Sequence, residues 1–226
     1  MEFFLDTASI EEIKFYKPLG LVDGVTTNPA LLSKEGGDPI SQIKKIAEIV
    51  KGPLSVEVTY TEPSKMVKHA LKLNKLAQNI VVKIPASLAG LVAAQELKKE
   101  GIKMNITLVF HPSQAIPFIQ LAVDYVSLFV GRVEEFGLSN KEAIWHLKQS
   151  IDEMQSPTKL IAASMRNPDY LIEAVMAGSH ALTIPPACWQ MVYKNPIFQL
   201  GERDFLDSWK KLPAAARKEY ESLDEG

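Results

Sequence analysis

The chain has 226 residues, a formal net charge of −2, 46% hydrophobic residues and 23% charged residues, which is the composition of an ordinary globular protein with a large core. The near-neutral charge, without a block of basic residues, argues against a nucleic-acid partner. No apolar run approaches the roughly 20 residues of a membrane span, and the start MEFFLDTASIEE lacks the pattern of a signal peptide.

Cysteine and histidine usage argues against disulfide and metal chemistry. The one cysteine, Cys188, cannot form an internal disulfide and suits a reducing compartment. The four histidines are too scattered for a metal-ligand motif. A Walker loop and a Gly-x-Gly-x-x-Gly motif are both absent from the sequence. We therefore expect a cytoplasmic protein without a metal or a cofactor.

Eight short, mostly apolar runs have the pattern of strands that are covered on both faces. They are FFLD at 3–6, GVTTN at 24–28, LSVEV at 54–58, IVVKI at 80–84, MNITLVF at 104–110, YVSLFV at 125–130, KLIAAS at 159–164 and HALTI at 180–184. Successive runs begin about 20–30 residues apart, which is the length of a strand–helix repeat.

Helical patterns lie between these runs, with apolar residues every three or four positions. The clearest are PISQIKKIAEIVK, SKMVKHALKLNKLA, LAGLVAAQELKKEG, NKEAIWHLKQSIDEM and PDYLIEAVMAG, and the last segment adds ERDFLDSWKKL. Ser139 and Asn140 are candidate N-terminal caps, while Gly101 and Gly178 are candidate C-terminal stops.

Strict alternation of strands and helices predicts an α/β fold with a parallel sheet. Eight units in a chain of this length predict a closed (β/α)8 barrel with a C-terminal helical extension. A doubly wound open sheet shares the alternation and is the alternative. No linker-like segment divides the chain, so we expect a single domain over residues 1–226, in which about residues 201–226 form a helix and tail.

Polar residues interrupt or end the apolar runs, where a parallel barrel would direct them to one mouth. In chain order they are Asp6, Thr26, Thr27, Asn28, Glu57, Lys83, Asn105, Thr107, Arg132 (just beyond Phe129), Ser164, Arg166 and Thr183. Any one of them could be a strand-end cap or a turn residue. Polar residues at the ends of all eight strands favour a common site.

Lys83 lies within the apolar run NIVVKIP. One interpretation is structural: a lysine that reaches water from a strand end, or one half of a buried ion pair. The other is chemical, because branched apolar neighbours desolvate the ammonium and favour a neutral amine. Such an amine can attack a carbonyl and form a Schiff base. The residues alone leave both interpretations open.

Six motifs, FLDTAS, GVTTNP, VVKIP, NITLVF, FVGR and AASMRNP, occur in an order and spacing that resemble the short-chain transaldolase and fructose 6-phosphate aldolase family. The resemblance extends from residue 2 to about residue 210. It implies a class I aldolase on a (β/α)8 barrel that acts on sugar phosphates. It also implies a homo-oligomer, because short members of the family often form pentamers or decamers.

The resemblance implies four catalytic roles. Lys83 matches the Schiff-base lysine. Asp6 matches the aspartate that takes the proton from the substrate hydroxyl as the carbon–carbon bond breaks. Glu57 and Thr107 match the pair that positions a water for proton transfer at the imine.

The resemblance also implies the substrate-binding set. Asn28 and Asn105 match residues that hold substrate hydroxyls. Ser164 and Arg166 match phosphate-binding positions, and Arg132 is close enough to assist. Arginine suits this role because its planar fork matches phosphate oxygens. Thr27 and Phe129 are the remaining members of the predicted set.

Two positions divide the family. This chain resembles the transaldolases in having Glu57 and Phe129, where the fructose 6-phosphate aldolases have glutamine and tyrosine. Phe129 lacks the hydroxyl that helps to protonate the bound three-carbon carbanion. The resemblance therefore implies a transaldolase of the pentose phosphate pathway, with fructose 6-phosphate aldolase as the alternative.

Three positions depart from the family pattern: Leu128 replaces a usual proline, Ala89 replaces a frequent acidic residue, and His111 is unusual after the fifth strand. None of them removes a catalytic group, but they leave acceptor preference open. Two further functions stay open: a phosphate-binding isomerase without a covalent lysine, and an inactive barrel kept for assembly. An inactive barrel should have lost Asp6 or Lys83.

Overall fold

The computed structural model describes residues 1–133, 137 and 139–225. Its eight strands are parallel and pair in sequence order, and the first strand also pairs with the last, which closes the sheet. The strands are β1 (Glu2–Asp6), β2 (Gly24–Thr26), β3 (Leu54–Glu57), β4 (Ile80–Pro85), β5 (Met104–Val109), β6 (Tyr125–Phe129), β7 (Lys159–Ala163) and β8 (Ala181–Ile184). The predicted (β/α)8 barrel is confirmed, and the open doubly wound sheet is wrong because an open sheet has no pairing between its first and last strands.

The strands lie where the apolar runs predict them, with ends that differ by one or two residues. Strand β4 shows why the prediction works, because residues 80–84 are all buried on both faces of the sheet. A strand with helices outside and a packed barrel inside has no solvent face. Its sequence is therefore continuously apolar rather than alternating.

Twelve α-helices occur in the described ranges. They are α1 (Ile10–Tyr16), α2 (Pro29–Glu35), α3 (Pro39–Ile49), α4 (Pro63–Asn74), α5 (Leu88–Lys99), α6 (Ile116–Gln120), α7 (Val130–Val133), α8 (Asn140–Glu153), α9 (Pro168–Met176), α10 (Pro186–Tyr193), α11 (Pro196–Lys210) and α12 (Ala214–Glu221). The six helical patterns of the sequence correspond to α3, α4, α5, α8, α9 and α11. The other six helices have at most eight residues, too few for an apolar period to show.

The predicted helix ends are confirmed where the structure describes them. Ser139 caps α8: its hydroxyl accepts the backbone N–H of Glu142, whose carboxylate in turn accepts the N–H of Ser139. Gly101 and Gly178 follow α5 and α9 with φ angles of 68° and 85°. This left-handed conformation ends a helix and strains residues that have a Cβ.

Two compact units are distinguished by internal contacts, Met1–Cys188 and Trp189–Gly226. The first contains all eight strands. The second contains α11 and α12, where the indole of Trp209 donates to Glu221 (3.2 Å). The division does not decide whether the chain is one domain over residues 1–226, which stays a prediction.

A buried cluster of Phe4, Val81, Tyr125, Ile161 and Ala181 fills the barrel interior near the amino ends of the strands. The rings of Phe4 and Tyr125 meet edge to face at 5.8 Å although β1 and β6 are not neighbours in the sheet. Such a contact is possible only across the inside of the barrel. This layer closes one end of the interior and leaves the carboxyl ends for a site.

The residues two positions beyond this layer on the same five strands face the same interior, because side chains alternate between the faces of a strand. They are Asp6, Lys83, Ser127, Ala163 and Thr183. Strand periodicity therefore brings the lysine and the aspartate of the predicted catalytic set into the same layer.

No helix in the described part of the chain is long and apolar enough to cross a membrane. Across those same residues, no group of three or more histidine, cysteine, aspartate or glutamate side chains could hold a metal ion.

Candidate active site

A cavity of about 160 Å³ opens at the carboxyl ends of the strands. All five residues of the layer above the buried cluster line it. The complete lining is Asp6, Thr26, Asn28, Lys83, Ser127, Phe129, Ala163, Ser164 and Thr183. The cavity therefore brings together five residues of the predicted site, namely Asp6, Asn28, Lys83, Phe129 and Ser164.

Lys83 is buried in this layer, with 5% of its surface exposed. Its ammonium donates to the carbonyl oxygen of Thr27 (3.0 Å) and lies 3.3 Å from Oε2 of Glu57. The ion pair follows from strand register, because Glu57 on β3 is the direct neighbour of Lys83 on β4. The structural interpretation of a buried ion pair thus describes the resting site.

That ion pair is also compatible with chemistry. Nζ of Lys83 and Oε2 of Glu57 are 3.3 Å apart, close enough for a proton to pass between the two side chains. The neighbours Val81, Val82 and Ile84 are at most 2% exposed, so water has little access to the amine from the sheet.

Asp6 ends β1 and accepts a hydrogen bond of 2.8 Å from the hydroxyl of Thr26. Burial raises the pKa of the Asp6 carboxyl above its ordinary value, whereas the Lys83 ammonium and the Thr26 hydroxyl lower it. Burial dominates, so the carboxyl holds its proton more tightly than an exposed aspartate. A raised pKa suits a group that must take a proton and later return it.

Asn105 is fully buried and fixed from both sides. Its amide nitrogen donates to the hydroxyl of Ser55 (3.1 Å), and its amide oxygen accepts from the hydroxyl of Ser127 (2.8 Å). These bonds set the orientation of the amide and leave one N–H and one lone pair for a substrate. Ser55 and Ser127 were missed by the sequence reasoning, although the two-residue alternation from Tyr125 to Phe129 could have identified Ser127.

Thr107 follows Asn105 on the same face of β5, and its buried hydroxyl has no hydrogen-bond partner among the residues that the structure describes. Strand β5 shifts register against β6 between Ile106 and Val109, and Leu108 has a φ of 58°. This bulge sends the Leu108 side chain outward, where it is 38% exposed. Thr107 does not line the cavity itself.

Thr27 and Asn28 follow β2 and have different surroundings. The Thr27 hydroxyl donates to the carbonyl of Ser55 (2.8 Å), which turns it away from the cavity lining. Asn28 lines the cavity, and its side-chain oxygen accepts the N–H of Leu31 (2.9 Å) as the N-cap of α2. The cap holds the side chain while its amide N–H groups stay free to donate.

Ser164 and Arg166 follow β7 beside Gly131. Ser164 lines the cavity and has a φ of 61°, a strained conformation for a residue with a Cβ. A Cβ placed on Gly131 would lie 2.4 Å from the Ser164 carbonyl oxygen and 2.9 Å from Nε of Arg166. Only glycine therefore fits here, and its absent side chain is what lets Arg166 pass.

Arg132 and Arg166 are both exposed and do not line the cavity. Arg132 lies in α7, which begins directly after Phe129. The two guanidinium groups thus lie on segments that leave the barrel mouth, where an extended substrate would end.

Phe129 ends β6 and packs edge to face on Phe110, with 5.3 Å between the ring centroids. It places an apolar ring against the cavity at the position that divides the family. Of the three departures from the family pattern, Leu128 is fully buried, Ala89 lies in α5, and His111 caps a short 3-10 turn at Pro112–Gln114. None of the three lines the cavity.

A larger depression of about 1050 Å³ lies at the opposite mouth, where the strands begin. Its charged lining consists of Lys44, Glu48, Lys51, Lys103, Asp124 and Lys159. The four lysines are exposed, and the carboxylate of Asp124 accepts the N–H of Met104 (2.9 Å). The smaller cavity, which has a buried amine and a partly buried carboxyl in one lining, is therefore the better candidate for catalysis.

Comparison with known proteins identifies similar sequences. The family described as Transaldolase/Fructose-6-phosphate aldolase has a sequence model that matches residues 3–219. A probable transaldolase of Lactiplantibacillus plantarum is 43% identical over 217 residues, which cover 96% of this chain and 100% of that protein.

Two further relatives are also named probable transaldolase. A probable transaldolase of Thermodesulfovibrio yellowstonii is 41% identical over 212 residues, 94% of this chain and 99% of the relative. One of Brucella anthropi is 40% identical over 211 residues, 93% of this chain and 97% of the relative.

Proposed function

Because the chain belongs to the transaldolase/fructose-6-phosphate aldolase family, we propose that it is a transaldolase. It moves a dihydroxyacetone unit from a ketose phosphate, sedoheptulose 7-phosphate or fructose 6-phosphate, to an aldose phosphate in the pentose phosphate pathway. The observation that carries the proposal is that Lys83, nearly excluded from water, shares a cavity of about 160 Å³ with Asp6.

The first step is imine formation on Lys83. Glu57, 3.3 Å from the amine, takes the ammonium proton, and the neutral nitrogen attacks C2 of the ketose. The carbinolamine then loses water to give a protonated imine. The unpartnered Thr107 hydroxyl and the Glu57 carboxylate hold the water that carries protons in this exchange.

The second step breaks the bond between C3 and C4. Asp6 takes the proton of the C4 hydroxyl as the C4 oxygen becomes the carbonyl oxygen of the departing aldose. The bonding electrons move into the protonated imine, which becomes an enamine on Lys83. Asn28 and Asn105 hold the hydroxyls of the bound fragment, because both present free amide N–H groups.

The third step transfers the fragment. The enamine carbon attacks the aldehyde carbon of the acceptor, and the new alkoxide takes the proton back from Asp6. Water then hydrolyses the imine and releases the product ketose.

The phosphate group is held at the edge of the cavity by Ser164, which lines it, and by Arg166 and Arg132, which lie beyond it. Two features support this role. The backbone at Ser164 is strained, and Gly131 makes room for Arg166, so that the serine and the arginine are held close together.

Phe129 decides between transfer and simple cleavage. Free dihydroxyacetone forms only when a proton donor reaches the enamine carbon, and a phenylalanine ring has no acidic proton. A fructose 6-phosphate aldolase is the alternative, and a non-covalent isomerase is the second. The isomerase alternative predicts no adduct with Lys83.

A two-part assay tests the proposal. With fructose 6-phosphate alone, the enzyme should release little dihydroxyacetone. Addition of erythrose 4-phosphate should give sedoheptulose 7-phosphate and glyceraldehyde 3-phosphate. Release of dihydroxyacetone as fast as transfer would favour the aldolase.

We further propose a cytoplasmic homo-oligomer, a pentamer or decamer, on the basis of the family resemblance. Size-exclusion chromatography with light scattering tests the assembly, and elution as a monomer of 25.1 kDa would contradict it.

A further inference from the structure

Two buried threonines, Thr26 and Thr183, form a chain of hydrogen bonds that ends at the Asp6 carboxylate. The Thr26 hydroxyl donates to Oδ1 of Asp6 at 2.8 Å and lies 2.5 Å from the hydroxyl of Thr183. Thr26 is 2% exposed and Thr183 3% exposed, so water does not compete for these bonds. Sequence reasoning noted both only as polar strand ends.

The direction of this chain follows from proton counting. A threonine hydroxyl has one hydrogen and two lone pairs. When Asp6 is ionised, it can only accept, so the Thr26 hydrogen points to Asp6. The bond between the two threonines must then be donated by Thr183, which gives the order Thr183 to Thr26 to Asp6.

The register of the barrel explains why these hydroxyls meet. Strand β1 lies between β2 and β8. Thr26 on β2 is the direct neighbour of Asp6, and Thr183 on β8 is the neighbour of Phe4, which lies two residues before Asp6 and faces the same side of β1. Both threonines point into the barrel, so they meet beneath the carboxylate.

We propose that Thr183 is a positioning residue that holds Asp6 ready for proton transfer through Thr26, a role that rests on the proposed function of Asp6. A hydroxyl that accepts one hydrogen bond donates a stronger one, so Thr183 strengthens the bond from Thr26 to the ionised carboxylate. It also fixes the rotamer of Thr26 and, through it, the direction of the carboxylate.

The charged groups that face Asp6 define the expected pH effect. Among the described residues, the charged group that acts on Asp6 is Lys83 on β4, which is itself paired with Glu57 on β3. Burial raises the pKa of Asp6, and the Thr26 hydroxyl opposes that rise. Loss of the Thr183 hydroxyl weakens the opposition, so the pKa of Asp6 rises further and less of the carboxylate is ionised at a given pH.

The test is the pH profile of kcat/KM for transfer, measured with Thr183→Val, which keeps the shape and removes the hydroxyl. We expect a loss of about three- to tenfold on the acid limb, as for one hydrogen bond. The acid limb of the profile should move to higher pH, and the loss should shrink as the pH rises. Thr183→Ser should restore the wild-type profile.

Matched controls separate positioning from structure. Thr158→Val removes a buried hydroxyl that bonds Ser156 outside the site, and its profile should coincide with the wild type. Thr183→Ala is measured in parallel, so that the result does not depend on the folding of the valine variant. An unchanged acid limb in the folded variant, or an equal loss at every pH, would overturn the proposal.

Failure of this inference is distinguishable from failure of the proposed function. If Lys83 forms the adduct and Asp6→Asn is inactive while Thr183→Val behaves as wild type, only the role of Thr183 is wrong. If Asp6→Asn keeps full activity, the catalytic assignment of Asp6 is wrong and the Thr183 proposal fails with it.

Discussion

Oε2 of Glu57 lies 3.3 Å from Nζ of Lys83, at the same register of two neighbouring parallel strands. The two side chains are only 13% and 7% exposed. A buried ion pair of this kind contributes little to stability compared with apolar residues of the same volume, because desolvation offsets the attraction. We propose that its presence at the candidate site is explained by chemistry rather than by stability.

Lys83→Met should abolish transfer and leave the barrel folded. Methionine fills a similar volume but cannot form an imine. Activity is measured by the two-part assay and folding by circular dichroism. Lys103→Met, at an exposed lysine near the opposite mouth, is the matched control and should keep wild-type activity. Measurable turnover by a folded Lys83→Met variant would show that the amine is dispensable.

Asp6→Asn should lower activity and raise stability at neutral pH. The pKa of Asp6 is raised in the folded state, so its contribution to stability is present below the unfolded pKa and is lost as the pH rises through the folded pKa. Above the unfolded pKa, burial of this carboxyl therefore destabilises the fold, and a neutral amide removes that cost. The Tm of both proteins against pH is the measurement. A lower Tm for the variant at neutral pH would contradict the assigned direction.

Arg166→Ala should raise KM for phosphorylated substrates, with a loss of about 1.5–3 kcal/mol of charge-assisted binding. Unphosphorylated fructose should be affected much less, because it has no phosphate to lose. Arg203→Ala, on α11, is the control with the same change of charge. An equal loss on both types of substrate would assign Arg166 a structural role.

Gly131→Ala should reproduce part of the Arg166→Ala phenotype without removal of a charge. The new Cβ would collide with the Ser164 carbonyl and with Nε of Arg166, so both must shift. Steady-state kinetics should show a higher KM for phosphorylated substrates. Gly37→Ala is the control because a Cβ there meets nothing within 4 Å. Unchanged kinetics for Gly131→Ala would mean that the position of Arg166 is not critical.

Phe129→Tyr should shift the enzyme from transfer toward release of dihydroxyacetone. A hydroxyl at this position supplies the missing proton donor to the enamine, a gain of up to a few kcal/mol on that step. The ratio of dihydroxyacetone to sedoheptulose 7-phosphate at fixed acceptor concentration is the readout. An unchanged ratio would show that Phe129 does not control the outcome.

The barrel could be predicted from sequence because its strands are largely buried on both faces and therefore mostly apolar. Strand β4 is typical, with residues 80–84 all buried. Short helices such as α2 and α6 could not be predicted, because they have only seven and five residues, which is less than two helical turns. Their position is set by the strands that they connect rather than by an apolar periodicity in the sequence.

The candidate site was predictable where its residues interrupt apolar runs, as Lys83 and Asp6 do. It was not predictable where a residue acts through a contact with another strand. The bonds from Ser127 to Asn105 and from Thr183 to Thr26 depend on register and closure, which no local pattern encodes. Glycine is likewise needed at position 131 because the segment after β7, which carries Arg166, passes close to it.

Borohydride trapping tests the central claim most directly. The protein is incubated with fructose 6-phosphate, reduced, digested and analysed by peptide mass spectrometry, with Lys83→Met treated in the same way. We predict one stable three-carbon or sugar adduct, on the peptide that contains Lys83, and none in the variant. An adduct on another lysine, or no adduct in the active wild-type protein, would contradict catalysis through a Schiff base on Lys83.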